Sequence, residues 1–437
     1  MKIFKFGGAS VKDAKGFENV KNIIDSHKKE QLLVVVSAMG KTTNLLELLI
    51  NAYFHDDKEN SNIHFQTLKE QHIAIINELF GNNSSDILLS INTLLDELSD
   101  ILQEPAGDNF DYEYDRIVSY GEILSTKIVA AYLQMHNINN IWKDARKLIR
   151  TDNTYREGIV DWNTTQKKIQ KHIQPYYNNE NTNQIIVTQG FIGGTSEGLT
   201  TTLGREGSDF SAAVFAFALN AESVTIWKDV DGLLNADPKL FNNTIKLETI
   251  SYHEAIELAY YGASVIHPKT LKPLQNKNIP LWVKSFIHPK ERGSLITHTE
   301  QNKTIPCFIC KKNQVLISIM PKDFSFIAED NLSTIFALFA YFGVKINLMQ
   351  NSALSFSLCV DNRNSIENLI EELQTEFFVR YNTDMELFTI RHYDKQSIIN
   401  TIQNREIVLE QKNRTTVQYV LKSNVNSSWN VIERGKK

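Results

Sequence analysis

The chain has 437 residues, 42% hydrophobic and 22% charged, with a net charge of −5. That length suggests two or three domains of ordinary globular composition, and the mild acidity argues against a general binder of nucleic-acid backbones. Three cysteines exclude a disulfide framework, the apolar run near Ile335–Val344 falls short of the ~18 residues of a membrane span, and no apolar signal region precedes the first strand, so a cytoplasmic location is expected.

Lys2-Ile3-Phe4-Lys5-Phe6 alternates like a strand. Gly7-Gly8-Ala9-Ser10 then turns it into a helical pattern carried by Val11, Phe17, Val20, Ile23 and Ile24. Adjacent glycines after a strand let backbone N–H groups approach phosphate oxygens with no Cβ in the way, and Lys5 can add a point charge. The same residues also suit an ordinary βα turn, and there is no G-x-G-x-x-G fingerprint. Gln31–Val36 is continuously apolar, as in a strand buried on both faces. It runs into Ser37-Ala38-Met39-Gly40-Lys41-Thr42-Thr43, which imitates a P-loop but has Val35 where the first glycine is required. The segment therefore reads as a substrate loop leading into a helix with Leu45, Leu46, Leu48 and Leu49.

From His64 to Leu102 the periodicity is helical, broken by Gly81–Ser85, and its apolar stripes are packing surfaces. A further helical stretch from about Tyr114 to Gln134 carries Tyr120-Gly121-Glu122, with Glu122 beside the apolar face. Such a carboxylate is either a solvated charge or a partner for a bound ammonium group. A strand at Gln184–Val187 precedes a hairpin, Phe191–Leu203, that turns at Ser196-Glu197-Gly198. Gly204-Arg205-Glu206-Gly207-Ser208-Asp209 then opens an apolar helix through Ala213, Val214, Phe215, Ala216 and Leu219. Unpaired N–H groups and a partial positive charge at a helix start attract anions, and Arg205 can grip a carboxylate with two parallel bonds. The plain reading is a helix start capped by Ser208. Ser223–Trp227 is another strand, running into Lys228-Asp229. Apolar strands alternating with helices imply an α/β fold with a mostly parallel central sheet covered on both faces.

After Gly293 the pattern changes. His298–Lys303 looks like a connector, and Cys307-Phe308-Ile309-Cys310 reads as inert strand cysteines, since neither a thioredoxin-like pattern nor a second zinc-ligand pair accompanies it. Strand, helix, two strands, helix and strand follow over 315–381, and Met385–Leu421 looks like an abbreviated copy.

Lys5-Phe6-Gly7-Gly8, the Ser37–Asn44 segment, Tyr120-Gly121-Glu122, Gln189–Gly193 and Gly204–Asp209, in this order over most of the first ~300 residues, resemble aspartokinase. The later segments resemble ACT domains, the small-molecule sensors usually attached to that family. The resemblance implies a catalytic amino-acid kinase fold over 1–297, an ACT domain over 313–384 and an abbreviated ACT-like unit over 385–421. It implies transfer of the ATP γ-phosphoryl group to the side-chain carboxylate of L-aspartate, with Mg2+, in a homodimer or larger homo-oligomer joined through the ACT region. No nucleic acid or membrane partner is expected. The rival is a non-catalytic amino-acid sensor built on a decayed kinase fold. The missing dinucleotide fingerprint argues against an appended dehydrogenase.

Carried over by position, Lys5 neutralises the β/γ-phosphates, Gly7 and Gly8 supply backbone donors, and Asp209 orients Lys5 and hydrated magnesium. Arg205 forks onto a carboxylate of aspartate, Glu122 accepts its α-ammonium, Ser37 and Thr43 give hydroxyl donors, and Phe191 walls the pocket. Lys228 and Asp229 are expected near adenine and ribose. Asp237 and Lys239 are expected near the phosphates, although Asp237-Pro238 equally suits a plain turn. Three positions depart from the family pattern: Ala9 for threonine, Leu234 for tyrosine, and Ser264 for a phosphate-binding lysine. Lys269 is the candidate substitute for that lysine. In the ACT region, Asn347 stands where lysine-sensitive relatives have aspartate, so weak or absent inhibition by lysine is expected.

Overall fold

The structure, a computed structural model, describes residues 1–177, 184–263, 266–299, 305–323, 325–402, 405–423 and 429–430. It forms two compact units. The first comprises Met1–Leu233, Leu247–Ile256 and Ile266–Glu300.

At the centre of the first unit is an eight-stranded sheet. Its strands are β1 (Lys2–Phe6), β2 (Leu32–Val36), β3 (Asn140–Lys143), β4 (Ile185–Gln189), β7 (Ser223–Lys228), β8 (Thr249–Ser251), β9 (Leu281–Ser285) and β10 (Ser294–Thr297). A small antiparallel hairpin, β5 (Ile192–Gly194) with β6 (Thr200–Thr202), lies outside it. The sheet order is β8-β10-β9-β7-β1-β2-β4-β3, parallel throughout except between β9 and β10. All five residues of β2 are fully buried, which is why that segment is apolar at every position.

Strand β1 is the switch point. The chain leaves it through α1 (Ala14–Asp25) to reach β2 on one side, while β7 pairs on the other. Open α/β sheets bind ligands beyond the carboxyl ends of strands at such a point. Lys5 lies in register between Val35 and Ile226, so its neighbours fix it one residue from that edge. Helix α1 starts where Asp13 accepts a hydrogen bond from the Gly16 N–H at 2.8 Å, a cap worth about 1 kcal/mol. Its buried face, Phe17, Val20, Ile23 and Ile24, packs into the main core.

The helices α2 (Thr42–Phe54), α3 (Lys58–Phe80), α4 (Ser85–Gln103), α5 (Phe110–Val118) and α6 (Tyr120–Met135) complete that core. Where the periodicity suggested one helix from about Tyr114, there are two, divided at Ser119. Helix α7 (Trp162–His172) follows, then α8 (Gly207–Leu219), which is buried along nearly its whole length, and α9 (Pro268–Asn276).

The second unit comprises Leu234–Lys246, Glu257–Val265 and Gln301–Lys437. It holds a six-stranded antiparallel sheet of β11 (Cys307–Pro321), β12 (Ile346–Asn351), β13 (Phe356–Asp361), β14 (Phe377–Arg391), β15 (Ile407–Lys412) and β16 (Thr416–Lys422), in the order β12-β13-β11-β14-β16-β15. Strands β11 and β14 are each 15 residues long and pair along their length, with a register shift between Lys311 and Leu316. The expected boundary at 384/385 therefore falls inside β14, and the fuller pattern and its shortened copy share one sheet. Helices α10 (Glu329–Tyr341), α11 (Ser365–Glu376) and α12 (Lys395–Ile402) accompany it. Cys307, Cys310 and Cys359 form no disulfide, and burial pushes Cys310 and Cys359 up to about 12, which keeps these two unreactive. Among the described residues no group of three side chains could hold a metal, and no helix is long and apolar enough to cross a membrane.

Candidate active site

A cleft of about 820 Å3 opens beyond the carboxyl ends of β1, β2 and β7 and at the start of α8. It gathers Lys5, Ser37, Thr43, Glu122, Phe191, Arg205, Asp209 and Lys228, eight residues spread over more than 220 positions of sequence.

Two loops meet next to Lys5 and Ser37, although Gly7 and Gly8 themselves are not among the residues that line the cleft. A Cβ on Gly8 would stand 2.7 Å from the Ala38 carbonyl oxygen and 2.8 Å from that of Gly40, so only glycine lets these loops close on one another. The Gly40 N–H donates to the Gly8 carbonyl at 3.0 Å, and the Ser37 N–H extends the sheet by donating to Phe6. Gly7 leads into a single 3-10 turn, and a Cβ there would stand 3.4 Å from the Lys5 Nζ.

The Lys5 ammonium reaches the Asp209 Oδ1 at 2.6 Å, and the Lys228 Nζ lies 3.8 Å from the Asp209 Oδ2. Lys5 and Asp209 are both buried, which strengthens their attraction relative to water. One carboxylate thus stands between two ammonium groups at the end of β1 and β7.

Helix α8 begins two residues earlier than a Ser208 cap implies, at Gly207. Glu206, in the left-handed region at φ 53°, occupies the cap position, so Ser208 is not the cap but a buried residue of the first turn. No side chain caps this end. Phe191 is held at φ 68° by donating its N–H to the Ser211 Oγ at 2.9 Å and accepting from the Leu203 N–H at 2.8 Å. Such a conformation costs a non-glycine residue about 1 kcal/mol or more. A Cβ on Gly207 would meet the Phe191 ring at 2.7 Å, so glycine there lets the aromatic wall sit directly on the helix start. Arg205 is exposed at the mouth.

Glu122 is the most unusual group. It is 3% exposed, its Oε1 accepts from the Ala38 N–H at 3.2 Å, and its Oε2 is buried with no hydrogen-bond partner. Desolvation pushes its carboxyl up to about 8, against the opposing pull of the Ala38 N–H and Lys5.

Other predicted residues lie elsewhere. Asp229 is exposed and outside the cleft's lining. Asp237 and Lys239 belong to the second unit, where the Asp237 Oδ1 accepts from the Lys239 N–H at 2.9 Å, the turn geometry that was one of the two readings of this motif. Lys269 does not line the cleft. Its Nζ donates to the Leu203 carbonyl at 2.9 Å and lies 4.7 Å from the centre of the Phe210 ring, and burial lowers its pKa. Ser264 lies outside the described residues.

The sequence reading missed part of the wall. Glu47, Tyr114, Arg156 and Thr202 also line the cleft. The Tyr114 hydroxyl donates to the Glu47 Oε1 at 2.7 Å, and the Arg156 guanidinium lies 4.4 Å from the Tyr114 ring centre. Beneath them, buried Asp115 accepts from the N–H groups of Arg156 and Thr202 and from the Thr202 Oγ1, fastening the hairpin to α5. Desolvation raises the Asp115 carboxyl to about 6 despite these bonds. Glu47 was within reach of the sequence, one helical turn beyond Thr43. Arg156 gave no local signal.

Comparison with known proteins follows the same outline. The model of the amino acid kinase family matches residues 1–285. The chain is 30% identical to aspartokinase 1, chloroplastic, of Arabidopsis thaliana over 432 residues, covering 93% of this chain and 72% of that protein. Its structure superposes on E. coli aspartokinase III in complex with lysine and aspartate with a TM-score of 0.82 at 26% identity, covering 97% of this chain and 96% of the other. The same E. coli protein in complex with aspartate and ADP gives a TM-score of 0.80 at 26% identity, with the same coverage.

Proposed function

The chain belongs to the aspartokinases of the amino acid kinase family, and we propose that its cleft joins ATP to L-aspartate through the residues now described. The protein is a kinase. The observation that carries the substrate assignment is Glu122, a buried carboxylate with one unpartnered oxygen. A group in that state is costly unless a cation arrives, and the α-ammonium of an amino acid is such a cation.

Arg205 at the mouth offers a two-pronged grip for the substrate α-carboxylate, with Ser37 and Thr43 as hydroxyl donors and Phe191 as the wall. The side-chain carboxylate, with a pKa near ~3.9, is already ionised and needs no general base. One of its oxygens forms a bond to the γ-phosphorus as the bond from that phosphorus to the β–γ bridging oxygen breaks. The products are 4-phospho-L-aspartate and ADP. Catalysis here is alignment and relief of repulsion between anions. Lys5 and Lys228 supply the positive charge, Asp209 holds both in place, and the backbone after β1 faces the phosphates.

Magnesium would enter on the phosphate oxygens with its own waters, Asp209 being the protein carboxylate beside it, and would neutralise charge on the transferred group. A buried carboxylate without a full protein cage suits a metal that keeps several waters. Lys269, fixed on the Leu203 carbonyl, is better read as bracing the loop before α8 than as a phosphate ligand.

The second unit serves as an ACT-type regulatory region and the contact of a homo-oligomer in this reading. Exposed Phe336, Tyr341, Met349, Leu354, Phe378 and Tyr381 are apolar surface in this unit that such an association would cover. A non-catalytic sensor is not favoured, because the relatives are aspartokinases. The test is ADP release with L-aspartate, with L-glutamate and with no acceptor. Release that depends on aspartate supports the reading, and release indifferent to the acceptor overturns it.

A further inference from the structure

A second concave site lies in the first unit and shares no lining residue with the cleft. This recess, of about 610 Å3, is formed by the end of β3, the 3-10 turn Ala145–Lys147, helix α7 and the tip of the β5–β6 hairpin. Lys143, Arg146, Lys147, Arg150, Lys168 and His172 line it.

Asp144 is the one carboxylate among the lining residues, and it is already engaged. Its oxygens accept from the Arg146 Nε and Nη2 at 2.7–3.2 Å and from the Arg146 N–H at 3.0 Å. Lys143 is spent on Tyr176, donating to its hydroxyl at 2.9 Å. That leaves Lys147, Arg150 and Lys168 lining the recess with no ion-pair partner among the described residues. Arg150 is the strongest sign. Its backbone N–H donates to the Thr165 Oγ1 at 2.9 Å, and its Nη1 is buried with no acceptor. Asp161 feels Arg150 electrostatically but forms no ion pair with it, and its Oδ1 caps α7 through the Thr164 N–H at 3.1 Å. The Lys168 ammonium makes only a long bond, 3.4 Å, to the Lys147 carbonyl, and burial with repulsion from Arg150 and Lys171 lowers its pKa. Like charges lining one recess, with a guanidinium nitrogen that lacks an acceptor, describe a site that suits an anion.

We propose that this recess binds a small molecule bearing two or more linked phosphate groups, at a place separate from the catalytic cleft. A guanidinium fork beside lysine point charges matches phosphate oxygens, and the volume accommodates a nucleotide-sized ligand. The concave form and the acidity of the whole chain disfavour a nucleic-acid backbone, which needs an extended basic face.

The experiment is calorimetric titration of the full chain with inorganic tripolyphosphate. It is run on the unmodified protein, on Lys5→Ala to weaken the cleft, and on the Arg150→Ala/Lys168→Ala double variant. The site predicts a binding event that persists in Lys5→Ala, weakens with salt, and falls about tenfold or more in the double variant, as expected for two lost charge-assisted contacts. Should Arg150→Ala impair folding, Lys147→Gln/Lys168→Gln repeats the test and must also weaken binding. No binding to the unmodified protein, binding lost in Lys5→Ala alone, or equal affinity in the folded recess variants would overturn the proposal.

Discussion

The Lys5 ammonium and the Asp209 Oδ1 lie 2.6 Å apart, tying the end of the central strand to the first turn of α8. Neither partner is near the other in sequence, and both are buried. Lys5→Ala removes one preorganised positive charge while leaving Lys228 on the other oxygen of Asp209. We expect kcat to fall on the order of 10²-fold or more, with nucleotide still bound measurably. Steady-state kinetics with a nucleotide titration check this, and a near-normal kcat would make the lysine structural.

Arg205 is exposed at the mouth of the cleft, free to fork onto a substrate carboxylate. Lysine cannot reproduce that two-pronged geometry. Arg205→Lys should raise the KM for aspartate by on the order of tenfold or more with little change in the KM for ATP. Equal effects on both substrates would reassign the residue.

Glu122 makes stability depend on pH in a predictable direction. Its folded value of about 8 stands above its ordinary 4.5, so the folded state binds more protons than the unfolded chain between those values. The unliganded protein therefore loses stability as pH rises through that window. Glu122→Gln should flatten this slope and stabilise the unliganded protein at pH 8 by about 1–3 kcal/mol, while aspartate binding is lost. Thermal melts across pH 5–8, beside aspartate titrations, read both effects; a variant less stable than its parent at pH 8 would contradict them.

Asn347 is committed within its own sheet. Its Oδ1 accepts from the Lys311 Nζ at 2.8 Å, and its Nδ2 donates to the Gln314 Oε1 and to the Asp361 Oδ1, each at 2.8 Å. With these bonds in place, Asn347 presents no free carboxylate to a lysine ligand. Weak or absent inhibition by L-lysine is expected. Asn347→Asp sets a second carboxylate against Asp361, where the like charges favour a bound cation and lower stability together. An inhibition titration with L-lysine on parent and variant decides this, and tight inhibition of the parent would refute it.

Composition marked β1, β2, β4 and β7, and Leu32–Val36, apolar at all five positions, is buried at all five, whereas the short strands β3, β8, β9 and β10 carried no such mark and were not read from the sequence. The Gly7-Gly8 turn was equally visible as a place of close backbone approach, as was the helix start within Gly204–Asp209, whereas the need for glycine at position 207 shows only where the Phe191 ring meets it. What escaped depends on contacts distant in sequence. Ser208 looked like a cap because its residue type fits, but Glu206 adopts the left-handed conformation and shifts the helix start. Arg156 and Asp115 meet across 41 positions, which no local pattern announces. Lys269 was assigned by proximity to a missing lysine, whereas the Leu203 carbonyl and the Phe210 ring fix its direction. Strand β14 hides the junction of the fuller strand–helix pattern and its shortened copy because one strand serves both.

The central claim is that buried Glu122 receives the ammonium group of the substrate. At pH 7 a carboxyl near 8 is largely protonated in the free protein, and an arriving ammonium ionises it. Calorimetric titration with L-aspartate in two buffers of different ionisation enthalpy counts the protons exchanged on binding. The account predicts release of most of one proton at pH 7, shrinking as pH rises past 8, and none from Glu122→Gln wherever residual binding can be measured. Binding of aspartate to the unmodified protein with no proton release at pH 7 would contradict it.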